Sequence, residues 1–402
     1  MKCEDIVKLS RENLEYMREI RRHLHKNPGV DFDNNETIQY IHQKLSEMQI
    51  EAEFVGKCGL SAIIGEGEKC FLLRADTDGL ATAEETNLEY ASRNGRMHSC
   101  GHDIHTAQLL GAVKILKTQC EKIGGCVKLM FQSAEEILCG AVDMIENGIL
   151  ENPTPNGALM IHVMTATELK TGTVIVATPG ESAPCADFFE ITVSGKGCHG
   201  SSPALGKDPI YTACTIVTSL SEITSRELSF SQRAILTFGS VTAGNSANVI
   251  PEFATLRGTM RCFTNELREY IKRRIVEISE GVAKTFGTSV KVTFTSGCPS
   301  LVNDKNLCNI ALESIGRVLG KKYVINSAEL NTKSTKTSGS EDFSYISQQV
   351  PSVMLALASG NVKDGYTYPL HHPKVTFDEE AMINGCASLV SVCLGFFGNL
   401  SQ

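Results

Sequence analysis

The sequence predicts an α/β protein. A larger domain, with a mixed, mostly parallel sheet and helices on both faces, is interrupted by a smaller α+β domain. Three observations lead there. A chain of 402 residues is long for a single core, which favours two domains or one domain with a large insertion. The first half alternates strand-like and helix-like segments, the signature of a parallel sheet. Near residue 184 the texture changes to alternating strands and long helices, and near 297 the earlier pattern resumes. The expected boundaries are 1–183 and 297–402 for the larger domain and 184–296 for the smaller.

Taken in order, "MKCEDIVKLSRENLEYMREI" reads as a charged amphipathic helix without the apolar stretch of a signal peptide. "SAIIGEGEKCFLLRAD" reads as a hairpin around the Gly-Glu-Gly-Glu-Lys turn of 65–69. "TAQLLGAVKILKT" places Leu109, Leu110, Val113 and Leu116 at helical spacing. "CVKLMFQ" and "GALMIHV" are short buried strands, and between them "GAVDMIENGIL" is a helix closed by Gly148. The smaller domain has a strand from Phe188 and a helix over "DPIYTACTIVTSLSEIT". Strands at 234–242 and 253–262 follow, then a helix over "NELREYIKRRIVEISEGVAKTFG" and a strand "SVKVTFTSG". After it, "NIALESIGRVLG", "SVMLALA" and "EEAMINGCASLVSVCLGFFGNL" read as helix, strand and helix.

Composition narrows the function. A formal charge of −8 argues against a nucleic-acid or anionic-lipid surface. No apolar run approaches the roughly 18 residues of a membrane span, so a cytoplasmic protein is expected. Fifteen cysteines are scattered without a CxxC pair, which disfavours zinc ribbons and thioredoxin-like motifs.

Polar residues gather where buried strands run out: Asp76 and Asp78 after "CFLLRA", Glu135 and Glu136 after "VKLMFQSA", and His162 at the end of "ALMIH". Sites form at the carboxyl ends of parallel strands. Adjacent glutamates are either a solvated turn or a pair held by a cation, with one acid binding metal and the other acting as base. In "MHSCGHDIHTA", Cys100 is either a metal ligand with His102 or a nucleophile. His371 and His372 precede Pro373 in a defined loop. His199 sits in the Gly/Ser-rich "SGKGCHGSSP". Asn248, Arg261, Glu341 and Asp342 stand out more weakly.

Together the motifs resemble one metal-dependent amidohydrolase and metallopeptidase family. It contains hippurate hydrolase, N-acyl-amino-acid amidohydrolases, N-acetyldiaminopimelate deacetylase and plant auxin-conjugate hydrolases. The resemblance runs through "RRHLHKNPGVDFDNNET", "LLRADTDGL", "GRMHSCGHDIHTAQLLGA", "LMFQSAEE", "IHV", "GKGCHGSSP", "DPI", "NVIP", "GTMRCF", "GSEDFS" and "PLHHP". It implies that Cys100, His102, Glu136, His162 and His371 hold two divalent metal ions (zinc, manganese, cobalt or nickel), with Cys100 bridging. Glu135 would be the general base and Asp78 an acid that orients the site. His199 would reach the active site of the other subunit of a homodimer and polarise the scissile carbonyl. Asn248 and Arg261 would face substrate, and the smaller domain would be lid and dimerisation surface. His23 and His25 would belong to a structural N-terminal motif, and His98 and His105 would either be structural or back the metal ligands from behind.

The implied reaction cleaves small N-acyl-L-amino acids, hippurate-like or N-acetyl, with a metal-activated water. No nucleic acid or membrane is expected as partner. Ala81, Ser133, Ile104, Ala204 and His372 depart from the family pattern, and Ile104 and His372 are expected to alter the pocket. Alternatives are an N-acetyldiaminopimelate deacetylase or dipeptidase on the same site, a non-catalytic metal-binding protein, and a hydrolase using Cys100 as nucleophile.

Overall fold

The computed structural model describes residues 1–330 and 339–401. The chain forms two compact units, Met1–Ser182 with most of the chain from Leu301 onward, and Ala183–Ser300.

The first unit is built on an eight-stranded sheet. Its spatial order is Ala52–Phe54, Gly59–Gly65, Cys126–Gln132, Cys70–Asp76, Gly157–Met164, Ser352–Ala358, Val174–Val176, Val324–Asn326. The central four strands are parallel and meet antiparallel neighbours on either side. Cys70–Asp76 and Cys126–Gln132 are buried at every residue, as expected of parallel strands covered on both faces. The His102–Lys117 helix is buried at every position except Lys114 and Lys117. Its C-terminal part supplies the apolar residues Leu109, Leu110, Val113 and Leu116, and its N-terminal turns bury polar ones; it packs with the Ala381–Phe396 helix and the sheet.

Two local expectations fail. Gly59–Gly65 and Cys70–Asp76 do not form a hairpin, because Cys126–Gln132 lies between them, antiparallel to the first and parallel to the second. "CVKLMFQ" is buried at every residue, which a central place with neighbours on both sides provides. The N-terminal helix is also two helices, Cys3–Glu12 and Leu14–Lys26, broken at Asn13.

The second unit has a four-stranded antiparallel sheet ordered Ala234–Ala243, Phe253–Cys262, Cys185–Ser194, Ser289–Cys298. Helices Pro209–Glu222 and Asn265–Phe286 cover it, packing Ile216, Leu220, Ile271 and Ile275 onto Ile191 and Leu256. Both helices begin at side-chain caps. Asp208 accepts from the Ile210 and Tyr211 amides, and Thr264 accepts from Leu267. The segments leading into and out of this unit, Gly180–Ala183 and Leu301–Asn303, pair as a two-stranded ribbon. Among the described residues no helix is long and apolar enough to cross a membrane.

Candidate metal centre

The polar groups foreseen at strand ends do converge in the first unit. Cys100 and His102 flank Gly101, which adopts φ +86° as the cap of the His102–Lys117 helix. A Cβ there would lie 2.3 Å from Val163 Cγ2, so a side chain would force apart the two segments that carry Cys100 and His162. A Gly101→Ala protein should therefore lose about 1–3 kcal/mol from backbone strain alone, with weaker metal retention. Equal denaturation midpoints and metal content would refute this account.

Glu135 and Glu136 lie in a turn with two non-glycine residues in the left-handed region, Ala134 (φ 59°) and Leu138 (φ 56°). His371 is a third such residue, at φ 68°, and its amide donates to Ser99 O at 2.9 Å. Conformations of this kind persist where surrounding structure enforces them, and they concentrate at functional sites.

Cys100 Sγ is 3.5 Å from His162 Nε2 and 3.3 Å from His371 Nε2. Glu136 lies 3.6 Å from His371 Nε2 through one oxygen and 3.8 Å from His102 Nε2 through the other. Glu135 Oε2 is 3.9 Å from His102 Nε2. Asp78 touches both sides: Oδ2 accepts from the Glu136 amide at 3.3 Å, and Oδ1 is 3.4 Å from His102 Nδ1. The His162 Nδ1–H donates to Val163 O at 2.7 Å, which leaves Nε2 as the free ligand atom. Three overlapping sets each bring their donor atoms within 4.8 Å of one another: Cys100–His102–His162, Cys100–Glu136–His371 and His102–Glu135–Glu136.

This donor set fits divalent cations better than it fits itself. Among the described residues His102 Nε2 and Glu136 Oε1 are buried without a hydrogen-bond partner, and His102 Nδ1 and Asp78 Oδ1 face each other without completing one; orphaned buried polar atoms are costly. Burial, with the charge of Glu136, pushes the Cys100 thiol well up. Burial and the neighbouring carboxylates raise Glu135, and Glu136 is pushed up to about 7, chiefly by burial. A cation among them reverses each of these tendencies. A thiolate, imidazoles and a carboxylate suit zinc and its first-row neighbours.

Beneath the cluster lies an ionic layer centred on Arg74, which the sequence reading did not select. Its fully buried guanidinium reaches Asp76 (2.8 Å), Asp342 (2.8 Å), Glu341 (3.0 Å) and Gln132 (3.0 Å). One signal was available: a lone arginine in the otherwise apolar "CFLLRA" must have partners. Asp103 was likewise passed over. It accepts from Arg21 Nε and His25 Nδ1, and so ties the "RRHLHKNP" segment to the helix that carries His102. His98 is buried, lowered to about 4 chiefly by burial, and hydrogen-bonded to none of the described residues.

The pocket effect expected of Ile104 is not seen, because the side chain is fully buried in the hydrophobic core. On a helix, the residue two positions after His102 faces away from it. His372 stacks on Tyr368, with ring centroids 4.4 Å apart.

His199, Asn248 and Arg261 belong to the second unit. His199 and Val249 face each other across a short antiparallel pairing, and the Gly200 amide donates to Asn248 O. His199 and Asn248 are thus neighbours on one exposed ribbon. Ser201 N–H donates to His199 Nδ1 at 3.1 Å, so in the neutral ring the proton is on Nε2. Arg261 Nη1 donates to Ser340 Oγ at 2.7 Å.

Residues 72–394 match peptidase family M20/M25/M40. Among curated relatives, the N-acetyl-L-cysteine deacetylase of Bacillus subtilis (strain 168) is 36% identical over 368 residues, covering 90% of this chain and 84% of the relative. Hippurate hydrolase of Campylobacter jejuni is 32% identical over 381 residues, covering 94% and 95%. Among solved structures, the Bacillus subtilis YXEP protein, a dinuclear metal binding peptidase from the M20 family, superposes with a TM-score of 0.77. It is 29% identical, with 97% of this chain and 100% of that one covered. The chain belongs to peptidase family M20/M25/M40 and is a metal-dependent amidohydrolase.

Proposed function

We propose that the protein hydrolyses the amide bond of small N-acyl-L-amino acids, releasing a carboxylic acid and a free amino acid. One observation carries this reading: Cys100, His102, Glu136, His162 and His371, drawn from the length of the chain, surround one cluster with Glu135 beside it. On this reading those five residues hold two divalent ions, zinc, manganese, cobalt or nickel. Bound there, the ions would lower the pKa of the attacking water and would offer positive charge to the acyl oxygen.

Glu135, raised by burial and neighbouring acids, takes the proton and returns it to the departing amine. Asp78 accepts from the Glu136 amide and holds its other oxygen 3.4 Å from His102 Nδ1, where it would orient the ring. His199 offers Nε2–H to the carbonyl oxygen, its other nitrogen being occupied by Ser201. Asn248 and Arg261 hold the substrate. His199 acts on the partner subunit of a homodimer, the smaller domain serves as lid and dimer surface, and the enzyme works in the cytoplasm. The relatives' N-acetylcysteine and hippurate activities make N-acetyl and N-benzoyl amino acids the first substrates to try.

The test is release of free amine from benzoyl-glycine, N-acetyl-cysteine, N-acetyl-methionine and N-acetyldiaminopimelate, with and without a chelator. Hydrolysis that the chelator abolishes and added metal restores is expected. Activity that survives chelation but is lost on thiol alkylation would transfer the chemistry to Cys100.

Metal uptake should also depend on pH. Metal displaces the proton from Glu136, whose carboxyl is pushed up to about 7, so uptake should weaken as pH falls through that value. Titration calorimetry at several pH values checks the sign. An affinity that is flat or rises on acidification contradicts it.

A further inference from the structure

We propose that His105 is a positioning residue, a wedge that holds two central strands apart at the cleft and aims His162 through the Val163 amide. The Cys70–Asp76 and Gly157–Met164 strands pair from Phe71–Gly157 to Arg74–Met160. Beyond that point each strand keeps its other neighbour, Asp76 on Gln132 and His162 on Ala356. The two part company where the site opens, and the His105 imidazole fills the gap.

Its Nδ1–H donates to Asp76 Oδ1 at 2.5 Å, and its Nε2 accepts from the Val163 amide at 2.8 Å. Nε2 therefore takes up a backbone amide beyond the last paired residues of the two strands, while Nδ1 anchors the ring to the Asp76 side chain. Thr106 adds a third link, its hydroxyl donating to Asp76 O at 3.0 Å.

The direction of His162 follows from this clamp. His162 donates Nδ1–H to Val163 O, so the peptide plane that fixes the ring is the one next to the amide His105 holds. The His105 ring lies 4.5 Å from that of His162 and 5.4 Å from that of His102, centroid to centroid. A single buried side chain thus stands beside two imidazoles, those of His162 and His102. The inference rests on the reading of His102 and His162 as metal ligands.

Three substitutions separate the two hydrogen bonds. His105→Gln places an amide oxygen near the former Nε2, where it can accept from Val163. His105→Asn keeps a donor toward Asp76 but stops short of Val163. His105→Phe fills the wedge and makes neither bond. Parent and variants would be loaded with cobalt(II), competed against a chromophoric chelator and read by visible absorption.

Phenylalanine and asparagine should weaken cobalt binding by roughly 10–100-fold, the usual cost of removing a residue that orients a ligand, and should shift the cobalt ligand-field bands. Glutamine should restore both toward the parent. Parent-like affinity and spectrum in all three overturns the proposal, as does asparagine rescuing as well as glutamine. If the phenylalanine protein does not fold, the comparison of asparagine with glutamine decides alone. A His162→Ala control tests the underlying reading. Parent-like cobalt binding there removes His162 as a ligand. Weak binding there, with normal His105 variants, removes only the wedge.

Discussion

A Glu135→Gln protein is expected to keep its metal and lose about 10²–10⁴-fold in kcat, the range spanned by general acid–base catalysis. The substitution preserves shape and removes only the ionisable proton. Glu135 sits 3.9 Å from His102 and is raised well above the ordinary carboxylate range by burial and by Glu341, Glu136 and Asp342, the kind of perturbed group that clusters at functional sites. Glutamine also relieves like-charge repulsion with Glu136, so metal content should not fall. The checks are steady-state hydrolysis and elemental analysis of the same preparation. Full activity removes Glu135 from the proton path; joint loss of metal and activity makes it a ligand instead.

The largest effect on stability is expected from Arg74→Met. The guanidinium is wholly buried and serves Asp76, Glu341, Asp342 and Gln132. Removing one partner of a buried ionic network strands the others in low dielectric, at about 3–5 kcal/mol. Asp76 also supplies the pH dependence. Burial alone would raise it, but His102, His105 and Arg74 hold it well below its ordinary value. A depressed carboxylate stabilises the fold above its unfolded pKa of about 3.9 and loses that contribution as pH falls further. The gap between parent and variant should therefore be full at neutral pH and shrink in acid. Urea denaturation at pH 7 and at about pH 3, below the unfolded value, measures it, and a gap below about 1 kcal/mol at neutral pH would contradict the account.

How much of this could be read in the chain depended on whether a residue's role was local. "SVMLALA" and residues 253–262 are strands with the expected bounds, because continuous apolar or alternating runs declare themselves over a few residues. Glu135, Glu136 and His162 are legible because they stand at strand ends, where parallel sheets place their sites, and Cys100 and His102 because they cluster just before a helix start. The hairpin expected at 61–76 fails because pairing is non-local, and the strand between those two lies some fifty residues later. Arg74, Asp76, Asp103 and His105 were undervalued for the same reason. Each makes sense only through partners from other segments, such as Asp342 for Arg74 and Val163 for His105.

The ribbon formed by Gly180–Ala183 and Leu301–Asn303 has a kinetic consequence. Strand Ser352–Ala358 must find Gly157–Met164 across the whole inserted unit, and long loops cost entropy to close. If Ala183–Ser300 condenses first on its own core, its two ends are brought side by side. To the larger sheet, more than a hundred residues then behave as a tight turn. The effective contact order of the central pairing drops, and with it the barrier expected for a fold of this length. The insertion would then speed assembly of the domain it interrupts.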